Sequence, residues 1–194
     1  MLIAITGGIG SGKSVVSRML SAMGYEVYDC DSRARLIVES SKEILSEIAE
    51  RISDDVVGED WTLDRRALAA IVFADSVKLG ILNEITHGAV RRDLALWRTS
   101  HEACGRPLFV ETAILYQSGL DKRVDRVWEV TAPMETRIMR VMSRDGIDRA
   151  GVESRIASQN CAGFIPHHDV REIVNDGKTP VLSRVLGLLA EASC

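Results

Sequence analysis

Short apolar runs alternate along this chain with stretches of helical period. Leu2–Thr6 is a continuous apolar run that ends at a glycine, which predicts a buried strand. In the next segment, at 14–23, apolar residues share one helical face, and Gly24 is a predicted C-terminal cap. The chain therefore opens with a strand, a glycine-rich loop and a helix.

Four further β-prone runs follow, at 26–29, 108–111, 126–131 and 172–175. The stretch at 31–100 has helical periodicity almost throughout, with predicted helices at 42–52 and 76–100 and a predicted N-cap at Asp64. Strands that alternate with helices imply a parallel sheet covered on both faces. The pattern thus predicts an α/β fold, a five-stranded parallel sheet flanked by helices, with a helical lobe inserted between the second and third strands.

The second half of the chain carries one more unusual segment. Pro133 is predicted to open a helix after the fourth strand. The residues that follow, at 143–166, are polar and rich in arginine, which is typical of a mobile flap rather than an element of the core.

Composition and charge narrow the class of protein. The chain has 194 residues, 46% of them apolar, which suits one globular domain. Its net charge of −4 argues against a broad surface for nucleic acid or anionic membrane, because such surfaces need excess positive charge. The four scattered cysteines are typical of thiols in a reducing compartment: Cys30, Cys104, Cys161 and Cys194. Since no secretory signal or membrane-spanning run is evident, we expect a cytoplasmic protein.

The strongest chemical signal is the segment 7–14, GGIGSGKS, which fits the pattern G-x-x-x-x-G-K-[ST] between a strand and a helix. We call it the phosphate loop, because its glycines allow backbone N–H groups to surround phosphate oxygens and the following helix presents its positive end. Lys13 can reach the β- and γ-phosphates, and the Ser14 hydroxyl can ligate Mg²⁺. ATP or GTP binding is therefore predicted. The candidate nucleotide-binding residues here are Gly8, Gly10, Ser11, Gly12, Lys13, Ser14 and Val15.

A phosphate loop alone is shared by small-molecule kinases, GTPases, ATPase motors and nucleotide-dependent switches. The sequence contains neither the NKxD segment of guanine-specific proteins nor the LSGGQ segment of transporters. Its single D-x-x-G match, at 148–151, lies in the polar segment rather than after a strand. A core with one lobe and one flap is the size expected for a kinase that acts on a nucleoside or metabolite.

Motifs along nearly the whole chain resemble those of one kinase family. They are ITGGIGSGKS at 5–14, VYDCD at 27–31, LDRRAL at 63–68, VFAD at 72–75, LNEITH at 82–87, VETAIL at 110–115, Arg140, RDG at 144–146, Gln159 and NDG at 175–177. In this order they are similar to the dephospho-CoA kinases, which transfer the γ-phosphate of ATP to the ribose 3′-hydroxyl of dephospho-CoA. The resemblance implies a P-loop kinase fold with a core at 1–31, 105–143 and 167–194. It also implies an acceptor-binding helical lobe at about 32–104 and an arginine-rich lid at about 144–166.

The resemblance also implies roles for individual residues. Asp31 would orient and deprotonate the acceptor hydroxyl, with Asp29 as the alternative base or an indirect metal contact. Lys13, Arg140 and Arg144 would offset charge on the transferred phosphoryl group.

The resemblance also implies residues that bind the acceptor, the nucleotide and the metal. Arg65 and His87 would bind the acceptor, Asn175 would contact the nucleotide, and Ser14 would hold the metal. Glu111, which ends a predicted strand, could act on Mg²⁺ through water.

We therefore expect an ATP- and Mg²⁺-dependent dephospho-CoA kinase that completes coenzyme A synthesis. One alternative is another small-acceptor kinase, for nucleoside monophosphates or a sugar acid. A second is a non-catalytic nucleotide-dependent switch. The expected partner is the small molecule dephospho-CoA, with no nucleic acid and no membrane, and the chain is expected to be a monomer or a weak homo-oligomer.

Overall fold

The computed structural model describes residues 1–102, 105–159 and 163–192. The elements in chain order are β1 (Leu2–Thr6), α1 (Lys13–Ala22), β2 (Val27–Asp29), α2 (Cys30–Ser40), α3 (Lys42–Arg51), α4 (Arg65–Ala74), α5 (Ser76–His101), β3 (Leu108–Glu111), β4 (Arg126–Thr131), α6 (Met134–Asp145), α7 (Arg149–Ser158), β5 (Val170–Val174) and α8 (Val181–Ala192). They form two compact units, the first made of Met1–Asp29 with His101–Cys194 and the second of Cys30–Ser100.

The first unit is built on a parallel sheet with the strand order β2-β3-β1-β4-β5. All five predicted strands are confirmed, as is the parallel sheet flanked by helices. At the carboxyl ends of the strands, Ile5 and Asp29 both lie opposite Glu111, and Thr6 lies opposite Glu129. In open parallel sheets ligands bind at this edge, so the sheet brings the end of β1 and the loop after it to the usual place for a site.

The core of the first unit lies where α1 and α8 pack against the sheet. β1 is buried along its whole length, as expected of a central strand covered on both faces. Its side chains pack against the rings of Phe109 and Trp128, whose centroids lie 5.1 Å apart. The core residues are Ile3, Ile5, Val16, Leu20, Phe109, Trp128, Val130, Ile173, Val185, Leu188 and Leu189. Burial of this apolar surface fixes β1 rigidly beneath the phosphate loop.

The second unit is helical and has a core of its own. Apolar faces of α3, α4 and α5 supply most of it, as their spacing predicts, and the segment between α3 and α4 adds Ile52 and Val56. The residues from the three helices are Ile44, Ile48, Leu68, Val72, Ile85 and Ala89. The predicted N-cap is confirmed, since the Asp64 carboxylate accepts hydrogen bonds from the N–H groups of Arg66 and Ala67. Arg33 and Asp93 form a two-pronged ion pair with 2.8 and 2.6 Å bonds. This unit therefore carries its own stabilising contacts.

The segment at 143–166 contains more regular structure than its pattern indicates. The helix after Pro133 is present as α6, and the polar stretch that follows contains a second helix, α7. Val152 of α7 is fully buried and packs against Ile138 and Val141 of α6, and Ile156, four residues later, is partly buried in the same cluster. Two apolar side chains dock this short helix, but they are too few in a polar segment to mark a helix in the sequence. That this segment acts as a flap stays a prediction.

The composition also led to expectations about the cysteines and about membrane-spanning segments. Cys30 is buried and forms no disulfide, whereas Cys104, Cys161 and Cys194 lie outside the described residues. Over the described ranges, none of the helices combines the length and apolar character needed to cross a membrane.

Candidate active site

The phosphate loop connects the end of β1 to the start of α1. Gly7, Gly10 and Gly12 have φ values of 146°, 78° and 95°, in the region that side chains disfavour. The loop is closed by a hydrogen bond from the Ser11 N–H to the Gly8 carbonyl, 3.1 Å long. At its end α1 begins at Lys13, with the positive end of a ten-residue helix next to the loop.

Groups from other elements press against three of these glycines. A side chain at Gly8 would place its Cβ 2.7 Å from the guanidinium carbon of Arg137, and one at Gly10 would lie 2.6 Å from the Arg137 carbonyl oxygen. A Cβ at Gly12 would overlap the side-chain amide of Asn175. The glycines are thus needed for packing from outside the loop as well as for the loop's own conformation.

Lys13 extends back across the loop. Its Nζ donates hydrogen bonds to the carbonyl oxygens of Gly7, at 2.9 Å, and Gly8, at 3.4 Å. This places an ammonium group where the β- and γ-phosphates of a nucleotide are expected in a loop of this pattern. Ser14 lies in the first turn of α1 and is exposed, whereas Ser11 is only 1% exposed and its hydroxyl has no hydrogen-bond partner among the described residues.

Arg140 and Asn175 meet at the second half of the loop. The Asn175 Nδ2 donates to the Ser11 carbonyl at 2.8 Å, and Nη2 of Arg140 donates to the Asn175 Oδ1 at 3.3 Å. Nη1 of Arg140 also lies 3.4 Å from the carbonyl oxygens of Gly10 and Ser11. The structure therefore brings these two predicted residues together on the loop.

Three other arginines of α6 and α7 are held by carboxylates instead. Arg144 donates to Asp145 at 2.6 Å, Arg155 donates to the same carboxylate at 2.9 Å, and both arginines lower the pKa of Asp145. Arg149 is paired with Glu135 and Glu153. The structure does not bring Arg144 to the phosphate loop.

Arg137 and Gln159 also contact the phosphate loop. The sequence did not single out Arg137, and it gave Gln159 no role. Nε of Arg137 donates to the Ile9 carbonyl at 2.9 Å, and the Ile9 N–H donates to Oε1 of Gln159 at 2.6 Å. Arg137 lies three residues before Arg140, so both belong to one face of α6. That spacing is the signal that could have identified Arg137.

The predicted acceptor residues belong to the second unit. Asp31 is exposed in the first turn of α2, and Arg65 begins α4, where its Nη2 lies 2.6 Å from Glu39. Arg65 also lines a cavity of about 310 Å³ with apolar side chains around it, among them Val38, Leu68, Val72, Phe73 and Leu82. The cavity wall is thus largely apolar, and two arginines, Arg35 and Arg65, also line it.

His87 lies half-buried on α5. Burial, with a smaller contribution from Arg91, lowers the pKa of its imidazole below the ordinary value of 6.5. The side chain is therefore mainly neutral at neutral pH and can both donate and accept a hydrogen bond.

Comparisons with known proteins bear on the identity of the site. The family model for dephospho-CoA kinase (CoaE) matches residues 1–176. The chain is 41% identical over 160 residues to a dephospho-CoA kinase of Geobacter sulfurreducens, covering 81% of each chain. It is 35% identical to one of Bacteroides fragilis, covering 97% of this chain and 91% of that one.

A solved structure is similar to this chain along nearly its whole length. The crystal structure of TT1252 from Thermus thermophilus has a TM-score of 0.80 and 36% sequence identity, over 98% of this chain and 97% of that one. The match extends from the phosphate loop through the acceptor motifs to Asn175. This chain therefore belongs to the dephospho-CoA kinase family.

Proposed function

We propose that this chain transfers the γ-phosphate of ATP to the ribose 3′-hydroxyl of dephospho-CoA, with the phosphate loop holding ATP and Asp31 acting as the base. The geometry of the loop carries the proposal, since its own Lys13 extends back across it and Arg140 and Asn175 reach it from two distant segments of the chain. Membership of the family supports the choice of acceptor.

The nucleotide end is the best supported part. Backbone N–H groups of the loop and the first turn of α1 would bind the phosphates, and the unpaired Ser11 hydroxyl offers one more polar contact there. Lys13 would exchange its bonds to the loop carbonyls for phosphate oxygens. Arg140 would add positive charge, which a phosphoryl group needs as negative charge spreads over its oxygens. Arg144 could join only by giving up its bond to Asp145.

The chain also offers a donor set that fits Mg²⁺. Ser14 would bind the ion directly, and Asp29 and Glu111, which are paired across β2 and β3, would bind through water. The described residues contain no group of three His, Cys, Asp or Glu side chains able to hold a metal, so nucleotide oxygens would supply most of the shell. When bound, the ion neutralises charge on the β- and γ-phosphates.

The acceptor end is assigned to the second unit. The apolar cavity beside Arg65 would take the extended arm of dephospho-CoA, and the guanidinium would bind its pyrophosphate after leaving Glu39. His87, being mainly neutral, would contribute hydrogen bonds rather than charge. Asp31 would take the proton from the 3′-hydroxyl as the new bond to phosphorus forms.

Release of ADP, measured with dephospho-CoA, AMP, gluconate or water as acceptor, tests this function. We expect dephospho-CoA to be the only one of these acceptors that gives faster turnover than water. Replacement of the base by Asp31→Asn should lower kcat by about 10²–10⁴-fold while ATP binding is retained. Asp29→Asn tests the alternative base, and Asp55→Asn, at an exposed carboxylate of the same unit as Asp31, is the control.

The same assay tests the acceptor end. Arg65→Ala should raise KM for dephospho-CoA and leave the Kd of ATP unchanged, whereas Arg51→Ala, at another exposed and ion-paired arginine, should change neither. Turnover with dephospho-CoA no faster than with water would end the proposal.

A further inference from the structure

Arg137 is fixed against the first half of the phosphate loop. Its Nε holds the Ile9 carbonyl at 2.9 Å, and its guanidinium packs so closely on Gly8 that a side chain there would lie 2.7 Å from Cζ. Its own carbonyl packs on Gly10. Two contacts therefore set the position of this guanidinium relative to the loop, and the backbone contact sets the position of α6, so a nucleotide in the loop would find the guanidinium already in place.

The charge of Arg137 is not compensated. Arg144, Arg149 and Arg155 are each paired with a carboxylate. In the described ranges, no acidic side chain pairs with Arg137. Its side chain is partly removed from water, and that burial lowers the pKa of the guanidinium. A partly buried cation without a counter-charge is stabilised by binding an anion.

The guanidinium also has hydrogen-bonding capacity left over. Nε is the one nitrogen of Arg137 with a hydrogen bond to a described residue, so both Nη nitrogens can bind a ligand. Arg137 lines a cavity of about 590 Å³ together with Gly8 and Gln159. The two carboxylates on the cavity wall, Glu135 and Glu153, are both held by Arg149. The cavity therefore favours an anion beside Arg137, because both of its carboxylates are already paired.

Lys13 indicates which part of the nucleotide lies there. Its ammonium contacts Gly7 and Gly8, and in such loops this lysine binds the β- and γ-phosphates. We propose that Arg137 is a further catalytic residue, whose Nη nitrogens contact the terminal phosphoryl group of ATP while Nε remains on the Ile9 carbonyl. Arg140, one turn later, then serves the second half of the loop beside Asn175.

The chemistry of the step is that of the proposed function, on which this inference rests. The bond from the γ-phosphorus to the β-phosphate oxygen breaks, the bond to the acceptor 3′-oxygen forms, and Asp31 takes the proton of that hydroxyl. Arg137 donates two parallel hydrogen bonds to oxygens of the transferred group, and so offsets the charge that develops on them.

Calorimetric titration of ATP, ADP and AMP into Arg137→Gln separates phosphate binding from loop packing. The Gln amide can still donate to the Ile9 carbonyl but carries no charge. We expect the Kd of ATP to rise about tenfold to a hundredfold, since a charge-assisted hydrogen bond is lost, and that of AMP to change less than about twofold. The control is Arg184→Gln on α8, where Nε likewise donates to a backbone carbonyl, that of Glu172.

Arg137→Lys provides the second variant, because it keeps the charge without the planar fork. We expect it to recover part of the ATP affinity and part of kcat relative to Arg137→Gln. Equal loss of affinity for all three nucleotides would show that Arg137 only shapes the loop, and no loss would show that it has no role. Either result overturns the inference while wild-type ATP binding leaves the proposed function standing. Absence of ATP binding in the wild type would instead overturn the proposed function itself.

Discussion

Gly12 and Asn175 lie so close together that substitutions at the two positions should not act independently. Gly12 has φ 95° and ψ 30°, a left-handed conformation that costs an alanine about 1–2 kcal/mol. A methyl group there would also lie 3.4 Å from Cγ of Asn175 and closer still to its amide nitrogen, and such overpacking costs about 1–3 kcal/mol. Gly12→Ala should therefore lower the free energy of unfolding by about 2–5 kcal/mol.

Removal of the Asn175 side chain relieves the overlap. Asn175→Ala alone removes the 2.8 Å hydrogen bond to the Ser11 carbonyl, which keeps its 3.4 Å contact with Nη1 of Arg140, so the cost is about 0.5–1.5 kcal/mol. In the double variant the overlap is absent, so its destabilisation should be smaller than the two single effects together by about 1–3 kcal/mol. Urea unfolding followed by circular dichroism measures all three variants.

Gly119→Ala is the matched control for backbone strain. Gly119 has a similar left-handed φ of 70°, but nothing lies within 4 Å of the position that its Cβ would take. Gly119→Ala should therefore lower the free energy of unfolding by the backbone strain alone, about 1–2 kcal/mol. Two results would refute the reasoning: strictly additive effects of Gly12→Ala and Asn175→Ala, or equal destabilisation by Gly12→Ala and Gly119→Ala.

Two further substitutions test the docking of α7 and the state of His87. Val152→Ala should destabilise α7 by about 1.5–3 kcal/mol and speed amide hydrogen exchange in that helix. The control, Val77→Ala at a 70% exposed site, should change neither. Unchanged exchange in Val152→Ala would contradict the docking of α7. Because the pKa of His87 is lowered from 6.5, the folded chain binds fewer protons than the unfolded chain just below that pH. Unfolding free energy should therefore fall as the pH drops from about 7 through this window, and His87→Gln should flatten the fall in urea unfolding measured across it.

The sheet could be predicted from the sequence because its signals are local. A buried parallel strand needs a continuous apolar run, as in Leu2–Thr6, and the phosphate loop needs glycines and a lysine at set spacing. The N-cap at Asp64 is local too, since its carboxylate binds N–H groups two and three residues later. The confirmed predictions are of this kind.

α7 could not be predicted in the same way. Its single buried residue, Val152, is apolar in the sequence like many exposed residues, and only the neighbouring surface of α6 makes it a core contact. Arg137 was missed for a related reason. An arginine on a helix is usually a solvated side chain, and nothing in its local sequence shows that the phosphate loop passes beside it.

The two predicted arginines of α6 differ in how far their contacts lie along the chain. Arg144 is held by Asp145, the next residue, so its pairing is local. Arg140 has no acidic residue within four positions, and its contact with Asn175 joins residues 35 positions apart. Only the packing of α6 beside the phosphate loop could show that Arg140 lies there.

By itself the sequence determined the order of the strands and of the helices other than α7, the phosphate loop and, through its motifs, the kinase family. These follow from hydrophobic period and fixed spacing, which are properties of neighbouring residues. Only the tertiary structure decided that Arg137, Gln159, Arg140 and Asn175 hold the loop, because these residues come from three separate segments. Packing of α6 and α7 on each other and on Ile9 of the loop helps to bring them together, and no interval along the chain encodes that proximity.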